Sequence, residues 1–290
     1  MNKPALDELF EYRVSYPDFE PQERLARLVG LDDQKIRLTK VLGLLVNSSG
    51  LTNWANKFHP GSESLIDTVM RRPPLVVLAG DVGSGKTELA ETIGDAVARQ
   101  EDIGITLFPL SLSTRGQGRV GEMTQLISAA FDYTIEEAKK LKLAQSRENA
   151  QMHHEDRAGV NAFIRGIDRI ANAQLPAAVI MCTNRLNALD PAVKRRAAEV
   201  LSFGRPNDEQ RRSILTQRLG QLGMPQAALD DLVKETGPQE GNIPGFTFSD
   251  LTQRLIPSIV LDAYPTQAVN PGRAVRVAHE MKPTSAFQDH

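Results

Sequence analysis

Residues 80–87 have the residue types and the spacing of a loop that binds phosphate groups. Glycines let the backbone curl so that successive N–H groups converge on an anion. Lys86 supplies a positive charge for the β- and γ-phosphate oxygens, and the hydroxyl of Thr87 is placed to bind Mg2+. The pattern therefore predicts a nucleotide-binding loop, whose expected binding residues are Gly80, Asp81, Val82, Gly83, Ser84, Gly85, Lys86, Thr87 and Glu88.

The elements on either side of this loop are of the kind that positions it. A run of apolar β-formers, 75–79, predicts a buried strand that enters the loop. A helix from Thr87 to about Gln100 is predicted to follow, and its positive end would point at the same anion. A glycine-rich turn without these neighbours would be a weaker signal, so we expect ATP and Mg2+ as ligands.

A second candidate residue ends another predicted buried strand. The strand covers 177–184, and its last two residues are Thr183 and Asn184. Ligands of open α/β sheets bind at the carboxyl edge, where Asn184 could hold the attacking water and the γ-phosphate. The alternative is an Asx turn at the end of the strand. The nearby phosphate loop favours the functional interpretation.

A short basic helix is predicted after this strand. Asp190 is suited to the N-cap and Pro191 to the first helical position, and Arg195 and Arg196 follow. A run of charge on a helix is usually a solvated face. The alternative is an arginine finger that acts on a neighbouring subunit's γ-phosphate, which is worth about 10³ to 10⁵ in rate. The residues alone leave these two interpretations open.

Composition limits the class of protein. The chain has 290 residues, 41% hydrophobic and 24% charged, which is ordinary for a globular protein. Its net charge of −2 argues against broad nonspecific binding to nucleic acid or membranes. No apolar run reaches membrane-spanning length, and the single Cys182 allows no disulfide framework. We expect a cytoplasmic protein without membrane association.

The order of predicted elements indicates an α/β protein with a second, helical part. Strands alternate with helices up to about residue 204, which predicts a parallel sheet that includes a strand over 104–113. Helical segments follow, and the last 25 residues are expected to be poorly ordered. The predicted divisions are an N-terminal arm and helix, 1–27, a nucleotide-binding domain, 28–204, a helical lid, 205–265, and a tail, 266–290.

These features together resemble the AAA+ ATPases over roughly residues 28–263. Within that family, the stretch 146–168 is similar to the pachytene-checkpoint remodellers of HORMA-domain proteins, including compact bacterial members attached to cyclic-nucleotide (CBASS) antiviral operons. The resemblance implies a three-layer P-loop domain with a helical lid. It also implies a homo-hexamer that uses ATP to unfold part of a HORMA-domain protein. That step would release the protein from a signalling nucleotidyltransferase, a cyclic-oligonucleotide synthase, and restrain the defence.

The resemblance also implies roles for single residues. Val29 and Gly30 look like the segment that packs beside the adenine, and Arg254 resembles the lid arginine that touches the γ-phosphate. Asn184 would sense the γ-phosphate, and Arg195 or Arg196 would act across the subunit interface. The segment that resembles the substrate-gripping pore loop contains Arg115, Gly116, Gln117, Gly118, Arg119 and Val120. Arg119 replaces the usual pore-loop aromatic, so the grip would be polar or would rest on Val120.

One expected part of an AAA+ core is missing from the sequence. A strand ending in Asp-Glu should precede the strand of Asn184, because the Asp binds Mg2+ and the Glu activates water. No such run exists, although the residues from Leu143 onward look like those that normally follow it. We hypothesise that about 15 residues or more are missing between Lys142 and Leu143, either lost from the chain or skipped in its structure. A chain that truly lacks them should bind ATP and hydrolyse it very weakly.

Two other functions stay open at this point. A clamp-loader or initiator ATPase acting on nucleic acid would need a basic groove studded with aromatic residues. Five per cent aromatic residues and a net charge of −2 do not suggest one. A non-hydrolysing scaffold that binds ATP is the second alternative, and the missing Asp-Glu strand is what makes it credible.

Overall fold

The computed structural model describes residues 10–110, 122–143 and 158–286 of the chain. Its parallel sheet has β2 in the middle, with β4 on one side and β5 on the other. A separate antiparallel pair joins β1 to β3. The strands are β1 Val14–Tyr16, β2 Leu75–Gly80, β3 Ile105–Leu107, β4 Val179–Thr183 and β5 Ala197–Phe203.

The helices begin where the sequence offers caps. Asn207 and Gln210 form a capping box at the start of one lid helix, and Asp190 caps the short basic helix. The helices are α1 Phe19–Arg27, α2 Asp32–Val46, α3 Ser48–Phe58, α4 Glu63–Met70, α5 Lys86–Glu101, α6 Glu122–Leu143, α7 Ala158–Asn172, α8 Pro191–Arg195, α9 Asp208–Leu219, α10 Gln226–Glu235, α11 Ile256–Ala263 and α12 Pro271–Glu280. In the described ranges, no helix combines the length and the apolar character needed to cross a bilayer.

Strand β2 is covered on both faces, which explains why it is apolar throughout. Val76 and Leu78 pack with α2 and α5, whereas Leu75, Val77 and Ala79 pack with α6 and α7. Alternate residues of a strand point to opposite faces of the sheet, so a strand between two helical layers needs apolar residues at every position. The predicted fold class, a three-layer α/β domain followed by a helical lid, is confirmed.

The sheet differs from the prediction at one edge. The strand predicted over 104–113 is described only at Ile105–Leu107, and it pairs antiparallel with β1 instead of joining the parallel sheet. Within the described residues, β4 pairs only with β2, so it is an edge strand. The expectation that β4 is buried is therefore wrong, since its residues are half-buried and Cys182 is exposed.

Helix α6 contains Lys142 and ends at Leu143. The hypothesis that about 15 residues or more are missing between these two residues, either lost from the chain or skipped in its structure, stays a prediction. Strand β4 would gain its missing neighbour from such a segment.

The C-terminal region is folded where a poorly ordered tail was expected. Helix α12 begins at Pro271 with Asn270 as its N-cap, and the lid core buries its Ala274 and Ala278. Proline at the first helical position and small apolar residues four apart are helix signals that a composition argument overlooks. The lid therefore extends beyond residue 265, and the expectation for the tail is wrong over the described part of it.

The N-terminal region is also more than an extended arm. Strand β1 pairs with β3, and Tyr16 is buried against Gly94 of α5, where any side chain would collide with the ring. Helix α1 packs on the same helix through an ion pair between Arg24 and Glu88. Both elements thus brace the helix that begins at the phosphate loop.

Candidate nucleotide-binding site

The phosphate loop leaves β2 at the carboxyl edge of the parallel sheet, in its central position. Gly80 is held at φ 155° directly against the carbonyl of Phe203, which leaves no room for a side chain. Gly85, at φ 88°, caps the following helix α5. The loop therefore has the backbone shape that converging N–H groups require, as the spacing predicted.

Lys86 points into the loop. Its Nζ donates to the carbonyl oxygens of Gly80 and Asp81, at 2.8 and 2.6 Å, and to Oγ of Ser84 at 3.2 Å. The residue is 8% exposed, and this burial lowers the pKa of the Lys86 ammonium below its usual value. The residues present fit a bound triphosphate, because its oxygens would add charged acceptors for a buried ammonium that now has only neutral ones.

The two residues after Lys86 face in different directions. Thr87 is exposed at the start of α5, and its side chain is hydrogen-bonded to the thiol of Cys182, so its binding of Mg2+ stays a prediction. The carboxylate of Glu88 instead accepts two hydrogen bonds from Arg24, at 2.8 and 2.9 Å. Its side chain is thus engaged with α1, and only its backbone is left for the phosphates. The described residues contain no group of three or more His, Cys, Asp or Glu that could hold a metal ion by itself.

Asn184 lies one strand away from the loop. The parallel register pairs Ala79 with Thr183, which places Asn184 beside the first residues of the loop. Oγ1 of Thr183 accepts a hydrogen bond from the backbone N–H of Arg185 at 3.0 Å, so the strand ends in a turn. Asn184 itself is exposed. The predicted proximity is present, and its role at the γ-phosphate stays a prediction.

The segment expected beside the adenine lies between the loop and the lid. Val29 packs against the lid core, and the carbonyl of Gly30 accepts a hydrogen bond from Gln210 at 2.6 Å. Leu31 packs on Gly85 at the other side, where an added Cβ would lie 3.1 Å from it. Residues 29–31 therefore lie between the phosphate loop and the lid, and their packing beside the adenine stays a prediction.

The structure separates the two arginines that the sequence left equivalent. Arg196 donates to both carboxylate oxygens of Asp168, at 2.7 and 2.9 Å, and to the carbonyl of Ala192. Arg195 is exposed, and its side chain has no hydrogen bond or ion pair within the described ranges. Arg195 is therefore the better placed of the two to reach a neighbouring subunit.

Arg254 is not directed at the loop by its present contacts. It lies in a π-helical turn, Asp250–Leu255, and donates to Asp250 at 2.6 Å and to the carbonyl of Lys282 at 3.1 Å. A contact with the γ-phosphate would require it to leave both acceptors. The predicted pore-loop residues, 115–120, lie outside the described residues.

Sequence reasoning missed the residues that join the loop to the lid. Arg205 donates to the carboxylate of Asp81 at 2.8 Å, and Ser249 donates its backbone N–H to the carbonyl of Gly83 at 3.0 Å. The segment around Arg205 had been noted only as a domain boundary. An arginine directly before the Pro206 turn, at a strand end that faces the loop, was the signal available.

Comparisons with known proteins agree with this geometry. A model of the family described as "ATPase family associated with various cellular activities (AAA)" matches residues 76–205. The chain is 69% identical to CD-NTase-associated protein 6 of Escherichia coli (strain MS 115-1), covering 99% of this chain and 98% of that protein. It is 35% identical to the protein of the same name from strain KTE188, covering 97% and 98%.

The alignment with the MS 115-1 protein also bears on the length of this chain. It extends over 306 positions, whereas the chain has 290 residues. At least 16 of those positions (306 − 290) therefore have no counterpart here.

Solved structures are similar over the whole chain. One belongs to a complex described as E. coli MS115-1 HORMA:CdnC:Trip13, with a TM-score of 0.89, 70% identity and coverage of 99% of this chain and 100% of that chain. A structure of Rhizobiales Trip13 has a TM-score of 0.76, 58% identity and coverage of 96% and 100%. The chain therefore belongs to the AAA family of ATPases, and its near-full-length relatives within that family include the CD-NTase-associated protein 6 proteins.

Proposed function

We propose that this chain forms a homo-hexameric ring in the cytoplasm, and that the ring uses ATP to remodel a HORMA-domain protein. The ring would separate that protein from a CD-NTase, a cyclic-oligonucleotide synthase, and so restrain antiviral defence. The observation that carries the proposal is the 70% identity, over 99% of this chain, to a chain solved in a complex described as HORMA:CdnC:Trip13. The intact phosphate loop supports it.

The proposed binding residues lie on both sides of the phosphate loop. Lys86 would bind the β- and γ-phosphate oxygens, and the backbone N–H groups of residues 80–87 would donate hydrogen bonds to the same phosphates. Mg2+, when bound, neutralises developing charge on the phosphates, and the hydroxyl of Thr87 would be its ligand from this chain. Val29 and Gly30 would pack beside the adenine.

Residues outside the loop are proposed to act on the γ-phosphate. Asn184 would orient the attacking water from the neighbouring strand β4. Arg195, which is exposed, would reach the site of the adjacent subunit, whereas Arg196 would keep α8 in place through Asp168. The segment 115–120 would grip the substrate chain in the central channel, with Arg119 or Val120 at its tip.

The rate of hydrolysis is where this chain is proposed to differ from its relatives. The open edge of β4 and the 16 or more unmatched alignment positions both support the loss of the Asp-Glu strand. Without a carboxylate to activate water, the ring would hold ATP and turn it over slowly. This observation favours a second candidate function, a scaffold that binds ATP and retains the HORMA-domain protein without releasing it.

The test uses the full chain with the HORMA-domain protein and CD-NTase from its own operon. Size-exclusion chromatography follows their complex with and without ATP, beside Lys86→Ala and the exposed-surface control Lys234→Ala. The remodeller predicts ATP-dependent separation, which is lost only in Lys86→Ala. The scaffold predicts ATP-dependent capture without separation. If the chain binds ATP but neither captures nor separates the complex, both functions are rejected.

A further inference from the structure

The phosphate loop carries a negative charge of its own. Asp81 is the first residue after Gly80, in a loop whose purpose is to bind an anion. An uncompensated carboxylate there would repel phosphates that bring several negative charges of their own. The carboxylate must therefore be neutralised, and held in a fixed position, before the loop can bind a nucleotide well.

Arg205 meets this requirement. Its Nε donates to Oδ2 of Asp81 at 2.8 Å, and the two side chains are 13% and 25% exposed. The pair is thus largely shielded from solvent, so salt would screen it less than an ordinary surface pair. Arg205 comes from the connection between β5 and α9, which places it on the flank of the loop opposite to Asn184.

The same guanidinium joins the loop to two other parts of the chain. Its Nη1 donates to the carbonyl of Gly245 in the lid at 2.6 Å, and to the carbonyl of Thr284 at 2.8 Å. Nη2 is buried without an acceptor among the described residues. A buried N–H group without a partner is unusual, and it indicates that packing places the side chain here although its own hydrogen bonding is incomplete.

Thr284 is tied to the lid at the same point. Its backbone N–H and its hydroxyl donate to the two carboxylate oxygens of Asp250, at 3.0 and 2.7 Å. Asp250 also accepts a hydrogen bond from the backbone N–H of Thr247, and the residue before Asp250, Ser249, donates its backbone N–H to the carbonyl of Gly83 in the loop. The segment 282–284 is therefore joined by hydrogen bonds to residues 247–250, which form a corner of the lid, and through this lid corner to the phosphate loop.

We propose that Arg205 is a positioning residue for nucleotide binding. It neutralises Asp81 and fixes it, so that the loop accepts phosphates, and it ties the loop to the lid and to the segment 282–284. This inference rests on the ATP binding proposed above. Arg205 does not have to touch the nucleotide, because its effect passes through Asp81.

The test is a double-mutant cycle on the full chain. The dissociation constant of a fluorescent ATP analogue is measured for Arg205→Gln, Asp81→Asn and the pair combined. Arg205→Gln should weaken binding about tenfold, equal to about 1.4 kcal/mol, because the Asp81 carboxylate loses its ion pair with Arg205. Asp81→Asn in the same chain should restore most of that loss. If Arg205 only supported the fold, adding Asp81→Asn would not restore the affinity that Arg205→Gln loses.

Two further variants separate charge from geometry and from folding. Arg205→Lys keeps the charge without the fork that spans Gly245 and Thr284, so it should retain more affinity than Arg205→Gln. Arg211→Gln removes another buried lid arginine, one paired with Asp208 at 2.7 Å, and should lower the melting temperature without the Asp81-dependent loss of binding. Melting curves for every variant show which ones fold.

The outcomes distinguish this inference from the proposed function. If wild type binds ATP and Lys86→Ala does not, the proposed ATP binding is supported, whatever the Arg205 variants show. A combined variant that binds as weakly as Arg205→Gln would overturn the inference alone. A wild-type chain that binds no ATP would overturn both.

Discussion

The two flanks of the central strand β2 differ in how firmly they are held. On the β5 side, Arg205 and Ser249 connect the phosphate loop to the lid by direct hydrogen bonds. On the β4 side, no further strand follows within the described residues, and Cys182 and Asn184 are exposed. Among the described residues, the flank suited to holding a nucleotide is joined to the lid, whereas the flank expected to activate water ends at β4.

This contrast teaches that binding and hydrolysis depend on separate parts of one sheet. Binding needs the loop, Lys86 and a lid that is attached to them. Hydrolysis also needs a positioned water and a base for its proton. A change at one edge of the sheet can therefore affect hydrolysis while the nucleotide-binding side stays as it is.

The largest expected effect comes from closing the open flank. Inserting, between Lys142 and Leu143, the corresponding segment of the MS 115-1 relative should raise the ATPase rate about 10²- to 10⁴-fold, the contribution of a positioned base. The matched control is the same insertion with its Asp and Glu changed to Asn and Gln. Steady-state phosphate release is the measurement. If the unmodified chain already hydrolyses ATP as fast as the insertion variant, the proposed difference between the two flanks of β2 is wrong.

Removing the positive charge of Lys86 from the phosphate loop should weaken ATP binding. Lys86→Ala is expected to weaken ATP binding by about 2–5 kcal/mol, the usual loss when one partner of a buried, hydrogen-bonded charge pair is deleted. Equilibrium titration with a fluorescent ATP analogue measures it, with Lys234→Ala as the control. Unchanged affinity in Lys86→Ala would mean that the nucleotide binds elsewhere.

A smaller effect concerns the lid corner. Burial alone would raise the pKa of Asp250, but hydrogen bonds from Thr247, Thr284 and Arg254 outweigh it and lower the pKa to about 2. A lowered carboxyl pKa stabilises the fold above the unfolded value, and that contribution disappears as the pH falls through the folded value. Asp250→Asn should cost about 2 kcal/mol of unfolding free energy at pH 7.

The measurement for Asp250 is chemical denaturation of wild type and variant from pH 7 to pH 2. Their difference should be constant down to about pH 5 and then shrink progressively, with most of it lost at pH 2. Asp262→Asn, which breaks an exposed ion pair with Arg273, is the control. A difference that persists unchanged at pH 2 would show that Asp250 contributes through packing and not through its charge.

The smallest effect separates the two arginines beyond the open flank. Arg196→Ala removes the pair with Asp168, and since both side chains are partly exposed it should cost only about 0.5–1 kcal/mol of stability. Arg195→Ala should leave the stability of the subunit unchanged and act only in the assembled ring. Denaturation of the isolated subunit compares them. The opposite order of stabilities would exchange their assigned roles.

Local patterns predicted the elements that can be identified from neighbouring residues. The phosphate loop, its strand and its helix follow from residues 75–100, and the predicted cap at Asp190 marks a real helix start. The resemblance to AAA+ ATPases is confirmed for the same reason, because its motifs are short and contiguous. Helix α12 is not predicted by composition, because Pro and Gly are common both in disordered tails and at helix starts.

Contacts between distant residues could not be predicted in this way. Arg205 and Asp81 are 124 residues apart, and nothing in either local sequence indicates the other. Likewise, the pairing of β3 with β1 depends on which strand edges the fold leaves available.

The sequence by itself determined that this chain has a phosphate-binding loop on an α/β sheet, with a helical lid after it. Those features arise from periodicity, glycine spacing and caps, which act over a few residues. Only the tertiary structure decided that Arg205 pairs with Asp81, that Arg196 is engaged while Arg195 is exposed, and that β4 has a single neighbouring strand among the described residues. Hydrogen bonds and strand neighbours depend on distances in space, and the fold sets those distances.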